Sequence, residues 1–177
     1  MLNHVAGESN CQNETMSYQG FLITNRTGGY FCQDLRSKYQ GLYVRKKGDL
    51  FKILDELHSD GELIRVDNHF TTIGKIKNTD GGKRYEEFIM PSGKDALLYL
   101  ADKPARLSLT FDIRPAYDLR AWGKNYSLTH EEDLTLIRFT KTTHRLEDQT
   151  DGVFEYEFYV AIVSDGRSDL VQRWREQ

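Results

Sequence analysis

Twenty-seven carboxylates, five imidazoles and two thiols are the groups with which this 177-residue chain could do acid–base, nucleophilic or metal chemistry. The histidines His4, His58, His69, His130 and His144 stand singly, with no HxxxH spacing, and Cys11 and Cys32 form no CxxC. No metal site is therefore expected. Adjacent acids occur at Glu86-Glu87 and at Glu131-Glu132-Asp133. Paired carboxylates can serve general acid–base work, but these read most simply as solvated turn or edge residues. No nucleophile elbow, phosphate-binding loop or dinucleotide fingerprint is present, so no cofactor is expected.

Groups suited to binding are more distinctive. Arg114, Arg120 and Trp122 follow a strand-like run. Their arginine stems could pack on a sheet with the heads paired to Asp112 or Asp118. Alternatively, the indole could stack on a pyranose while the guanidinium groups donate to hydroxyls. The stretch LITNRTGGYF (Leu22–Phe31) raises a similar choice. Gly28 and Gly29 could merely relieve backbone strain in a tight turn. They could also let backbone amides and Asn25 approach a sugar or a neighbouring domain.

These residues must be positioned by strands, because the pattern is strand, turn, strand almost throughout. In ARLSLTFDI, Leu107, Leu109, Phe111 and Ile113 alternate with Arg106, Ser108, Thr110 and Asp112. Ser59-Asp60-Gly61, Asp80-Gly81-Gly82 and Asp151-Gly152 each sit between apolar runs and signal hairpins. Alternation slips between Leu136 and Ile137, which predicts a β-bulge. In VFEYEFYVAIV, Phe154, Tyr156, Phe158, Val160 and Ile162 share one face, and Val153, Tyr159, Ala161 and Val163 make the other apolar as well. That strand is expected to be covered on both sides, with Tyr156, Phe158 and Tyr159 in the core.

Helix is scarce. Ser168 or Asp169 could cap a short amphipathic C-terminal helix bearing Leu170, Val171 and Trp174. The expected organisation is a polar leader over 1–16, an antiparallel β-sandwich over 17–165 and a linker-like helix over 166–177. With 24 basic residues against 27 acidic ones, the net charge of -3 offers no strong field for nucleic acid or anionic membranes. No apolar run reaches the roughly 20 residues of a membrane helix, and the N-terminus lacks a signal-peptide pattern, so a cytoplasmic location with reduced cysteines is expected.

Two clusters together carry a resemblance. FLITNRTGGYFCQDLRSKYQGLYV is similar to the opening of bacterial and archaeal glycogen-debranching enzymes of the amylo-α-1,6-glucosidase type. Those begin with an apolar strand, Thr-Asn-x-x-Gly-Gly-Tyr, a variable loop, then Arg-Arg-Tyr-His-Gly-Leu-Leu-Val. Thr24, Asn25, Gly28, Gly29 and Tyr30 match the first half, and Tyr39, Gly41, Leu42 and Val44 the second. FDIRPAYDLRAWGKNY resembles the family's later strand ending in Arg-Pro, with Arg114, Pro115, Arg120 and Trp122 as counterparts. The family's Arg-Tyr-His reads Lys38-Tyr39-Gln40 here, so the cation stays but an amide replaces the imidazole. Gln40 can hydrogen-bond a hydroxyl but cannot shuttle protons.

The resemblance implies a supersandwich-like domain that precedes a helical (α/α)6 barrel bearing the catalytic carboxylates. That barrel is not part of this sequence. The leading expectation is a domain that is non-catalytic alone and acts in α-glucan metabolism. Its expected partners are an α-glucan or malto-oligosaccharide, a helical glucoamylase-like catalytic protein and a second copy of the chain. Alternatives are a free-standing carbohydrate-binding module and a small carboxylate-dependent sugar-processing enzyme. The expected contact residues, to sugar or to the neighbouring domain, are Asn25, Gly28, Gly29, Lys38, Tyr39, Gln40, Arg114, Arg120 and Trp122. The Asn25 turn and the Lys38–Gly41 segment are expected at one end of the sandwich. With Tyr30, Phe31, Tyr39 and Tyr43 they would form a docking surface there.

Overall fold

The computed structural model describes residues 20–33, 39–69, 71–117, 124–144 and 153–165. They form twelve strands and no helix. In chain order these are β1 (Phe21–Thr24), β2 (Tyr30–Gln33), β3 (Gly41–Lys46), β4 (Asp49–Ser59), β5 (Glu62–Asn68) and β6 (Thr72–Thr79). Then follow β7 (Gly82–Ile89), β8 (Leu98–Ala101), β9 (Leu107–Pro115), β10 (Lys124–Glu131), β11 (Leu134–His144) and β12 (Val153–Val163). The chain divides into two compact units, with the boundary inside β9 between Asp112 and Ile113. The sandwich span expected from the sequence, 17–165, takes in parts of both. The leader over 1–16 and the C-terminal helix over 166–177 lie outside the described residues. Among the described residues no helix is long and apolar enough to cross a membrane.

The first unit is an antiparallel β-sandwich. One sheet has the order β1-β2-β3-β4-β9 and the other β5-β6-β7-β8. Alternation builds its core. Phe21 and Ile23 point inward from β1 while Leu22 between them is exposed. They meet Phe31, Leu54 and Leu57 of their own sheet and Ile73, Phe88 and Met90 from the other side. Three rings form the centre. Phe21 and Phe31 pack edge to face at 5.6 Å, and Phe88 lies 5.7 Å from Phe31 and 6.1 Å from Phe21. Truncating any of them to alanine removes about 3–5 kcal/mol of stability.

Turn chemistry is right in one place and misleading in another. Asp80-Gly81 closes a two-residue hairpin, with Thr79 paired to Gly82. Asp60-Gly61 does not. β4 belongs to the first sheet and β5 to the second, so this turn is a corner that carries the chain from one layer to the other. Asp-Gly favours a reversal with positive φ (93° at Gly61), but the sheet that the next strand joins is decided by packing.

A second irregularity lies at the start of β3. The register with β4 shifts between Leu42 and Tyr43, where Leu42 pairs Leu54 but Tyr43 pairs Lys52. Gly41 makes this bulge sterically feasible. Its φ is +112°, and a Cβ there would lie 1.9 Å from the Leu54 carbonyl oxygen.

The second unit contains the meander β10-β11-β12. Pairing runs unbroken from Lys124↔Lys141 to Glu131↔Leu134 and from Leu134↔Val163 to His144↔Val153, so the bulge expected at Leu136/Ile137 is absent. The alternation never slips. Thr135, Ile137, Phe139 and Lys141 form the buried row, and Leu136 belongs to the opposite face. The β12 expectation is also corrected. Tyr159 is 58% and Val163 71% exposed, and Ala161 between them is exposed, so that face is open and Tyr159 is not a core residue. Apolar character on both faces of a strand signals cover only where a second layer exists.

Candidate functional site

The motif residues serve mainly to shape the first unit. Asn25, 8% exposed, organises its own turn. Its Oδ1 accepts from the Thr27 amide (3.1 Å), the Thr27 hydroxyl (2.7 Å) and the Gly29 amide (2.9 Å). Its Nδ2 donates to the Lys94 carbonyl at 2.9 Å, 69 residues along the chain. Gly28 has φ +86°, and a Cβ on Gly29 would sit 3.0 Å from the Tyr43 carbonyl oxygen. The amide and both glycines are thus used by the turn itself.

The second half of the motif lies elsewhere. Tyr30 pairs Tyr43 and Cys32 pairs Gly41, so the Asn25 turn and the Tyr39–Gly41 segment sit at opposite ends of β2. In a meander, successive connections alternate ends, and this rules out the shared docking end expected from the sequence. Phe31 and Tyr43 are buried, at 1% and 2% exposure, and Tyr30 stacks on Tyr43 with ring centroids 4.5 Å apart. Tyr39 is half exposed, and the Gln40 amide reaches Glu56 Oε1 at 3.5 Å. Arg114 is buried and donates to the Ala116 carbonyl at 2.7 Å. Lys38, Arg120 and Trp122 lie outside the described residues. Cys32 is buried.

What the sequence reading missed is a charged cluster inside the sandwich. Lys75 opposes Glu86, and Lys77 opposes Arg84, across β6 and β7. All four side chains are buried, with Glu86 at 0% and Arg84 at 1% exposure. Glu86 is therefore an interior residue and not the solvated one expected. A signal was available: Lys75 and Lys77 share the parity of Ile73, and Arg84 and Glu86 that of Phe88 and Met90.

Hydrogen bonds account for most of these charges. Arg84 donates through Nε (2.9 Å) and Nη2 (2.6 Å) to Glu86 Oε1. Nη2 also meets the Asp60 carbonyl (2.5 Å) and its Oδ1 (2.9 Å), while Nη1 reaches the Pro104 carbonyl at 3.2 Å. The Ser59 hydroxyl donates to Glu86 Oε2 at 2.7 Å. Lys77 donates to the Ser59 carbonyl (2.7 Å) and hydroxyl (2.5 Å). The hydrogen bond from Arg84, followed by one from the Arg106 amide, holds the Asp60 carboxyl below its usual range. Burial alone would lower the Arg84 pKa, but its bonds to Asp60 and Glu86 outweigh this and shift it upward.

Lys75 is the exception. Its ammonium lies 4.3 Å from the Phe21 ring centroid and 4.8 Å from that of Phe88, and it donates to Gln33 Oε1 at 2.7 Å. Gln33 is itself tied to the Leu57 carbonyl at 2.6 Å. Burial, reinforced by the Lys77 charge and opposed by that of Glu86, pushes the Lys75 pKa down to about 7. Lys77 is lowered too, again chiefly by burial. The Tyr99 hydroxyl is buried without a hydrogen-bond partner, and burial followed by the Glu86 charge raises its pKa.

The cluster therefore reads as a buried, internally bonded core, with Arg84 paired to Glu86 and Asp60 and both lysines held by neutral groups, and not as an exposed catalytic pair. Among the described residues no group of three or more histidine, cysteine or acidic side chains could hold a metal ion. The chain matches no protein-family model, no curated protein and no solved structure.

Proposed function

We propose that this chain is a debranching-enzyme-like β-sandwich domain, non-catalytic alone, that acts in cytoplasmic α-glucan metabolism beside a helical catalytic partner. The reading rests on the resemblance of the Thr24–Val44 segment. Its support is that two of the matched residues, Asn25 and Gly41, are tightly constrained by the fold. Asn25 makes four hydrogen bonds within and beyond its turn, and Gly41 admits the Leu54 carbonyl at the bulge. The likeness is thus one of framework. Glu86, the one buried carboxylate among the described residues, has both oxygens occupied by Arg84 and Ser59. It is therefore not a candidate acid or base of glycoside hydrolysis, which needs a carboxyl free to meet the substrate.

The test is retention of the purified chain in a glycogen-containing native gel, with calorimetric titration of maltoheptaose and an assay for released glucose. Retardation by glycogen, competition by maltoheptaose but not by cellohexaose, and no glucose above background are expected. Trp122→Ala should abolish retention and leave the melting temperature within a few degrees of wild type. Glucose release abolished by a single Asp or Glu substitution would establish a sugar-processing enzyme instead. An absence of α-glucan binding would leave the reading without support.

A further inference from the structure

We propose that β12 is a self-pairing edge, through which two copies of the chain join by antiparallel β12–β12 contact into one six-stranded sheet. β12 is the last strand of the order β10-β11-β12, and among the described residues only β11 pairs with it. It is eleven residues long and pairs with β11 without a register shift, so no bulge blunts it. Its sequence, VFEYEFYVAIV, contains no proline, lysine or arginine, and its only charges are Glu155 and Glu157. The side chains of Glu155, Glu157, Tyr159, Ala161 and Val163 are all exposed on one face.

The occupant follows from how the strand matches itself. A two-fold axis through Phe158 places position 153 opposite 163, Glu155 opposite Ala161, and Glu157 opposite Tyr159 of the second copy. No carboxylate lies directly opposite another; the two Glu157 side chains meet only on the diagonal across the axis, where each is held by Arg138 and Tyr159 of its own chain. The remaining pairs join aromatic, aliphatic and β-branched residues, the combinations that stabilise neighbouring strands. Parallel in-register pairing would instead stack Glu155 on Glu155 and Glu157 on Glu157, so charge selects the antiparallel form. Within one chain Tyr159 Oη already donates to Glu157 Oε1 at 3.0 Å, and Arg138 Nε donates to the same oxygen at 2.6 Å. The paired register brings a second Tyr159 to each Glu157 and needs no charge to be stripped of its partner. The dimer is closed, because its new outer edges are the two β10 strands.

Sedimentation equilibrium of the full chain from 1 to 100 µM tests this, together with amide hydrogen exchange at 2 and 200 µM. A concentration-dependent dimer is expected, with β12 amides gaining protection at the higher concentration and β10 amides unchanged. Ala161→Glu puts a carboxylate opposite Glu155 of the second copy, twice per dimer, and should raise the dissociation constant about tenfold. Adding Glu155→Lys to that variant should restore dimerisation. Far-UV circular dichroism establishes that each variant is folded, and the exchange measurement on wild type stands if one is not. A monomer at 100 µM overturns the proposal. So does a dimer indifferent to Ala161→Glu, or β12 protection independent of concentration, which would mean that another segment of the same chain occupies the edge.

Discussion

Lys75 stands directly opposite Glu86 across β6 and β7, yet its ammonium hydrogen-bonds the Gln33 amide oxygen of the facing sheet, at 2.7 Å. Glu86 has been taken by Arg84 and Ser59. A cation is left between two phenyl rings with a neutral partner, and this has a measurable cost.

The folded-state pKa of Lys75 is about 7 against 10.5 for a free lysine. Below pH 7 both folded and unfolded chains hold the proton, and the folded one does so in a dry slot. Stability should therefore rise as pH increases from 7 to about 10, because there the unfolded chain binds the extra proton. The full difference is on the order of 4 kcal/mol. Lys75→Met should raise stability at pH 7 and flatten the slope, leaving the smaller contribution of Lys77, which has the same sign. Urea unfolding of both proteins from pH 6 to 10 measures it. Equal slopes would mean that Lys75 is not desolvated.

Arg84→Met should cost about 3–5 kcal/mol, since it leaves the Glu86 carboxylate buried and uncompensated. The double variant Arg84→Met with Glu86→Met should recover most of that loss. A thermodynamic cycle by chemical denaturation gives the coupling, and additivity within 0.5 kcal/mol would deny that the pair acts as a unit.

Gly41→Ala should destabilise by about 3 kcal/mol or more, because both its positive φ and the Leu54 carbonyl oppose a methyl group. Gly48 also has positive φ (93°), but a Cβ there meets nothing within 4 Å. Gly48→Ala should cost about 1 kcal/mol, the backbone strain alone. Thermal melts of the two variants separate close approach from conformation.

Asn25→Ala removes the acceptor for three donors and the donor to Lys94, and should cost about 2–4 kcal/mol. Asn25→Asp keeps the acceptors but sets a carboxylate against the Lys94 carbonyl. Its loss should be similar at pH 7 and smaller at pH 4, where a protonated carboxyl can donate. Denaturation at the two pH values distinguishes these effects.

The strands were readable wherever alternation or turn chemistry acts locally. The β9 segment and the Asp80-Gly81 hairpin are examples, although burial along β9 deepens only from exposed Leu107 to buried Ile113. Asp60-Gly61 carries the same local signal, but whether the next strand joins the old sheet or a new one depends on contacts distant in sequence. Glu86 follows parity and not charge: Phe88 two residues on marks the buried face. The nine expected site residues divide accordingly. Asn25, Gly28 and Gly29 are engaged by local backbone geometry, which sequence can reveal. Whether the Tyr39–Gln40 segment lies beside them is a matter of topology, and the meander sends it to the other end.

The corner at Asp60 also bears on the order in which the molecule assembles. Its Oδ1 receives the Arg106 amide from 46 residues away, Ser59 reaches Glu86 27 residues on, and Arg84 binds Asp60, Glu86 and Pro104 at once. The β6–β7 hairpin forms from local contacts, whereas this latch can close only after both layers are in place, because loops of that length must first be drawn together. A contact made after the rate-limiting barrier does not hasten folding; it holds the finished structure shut. Arg84→Met is thus expected to speed unfolding and leave the folding rate nearly unchanged, which stopped-flow denaturation checks.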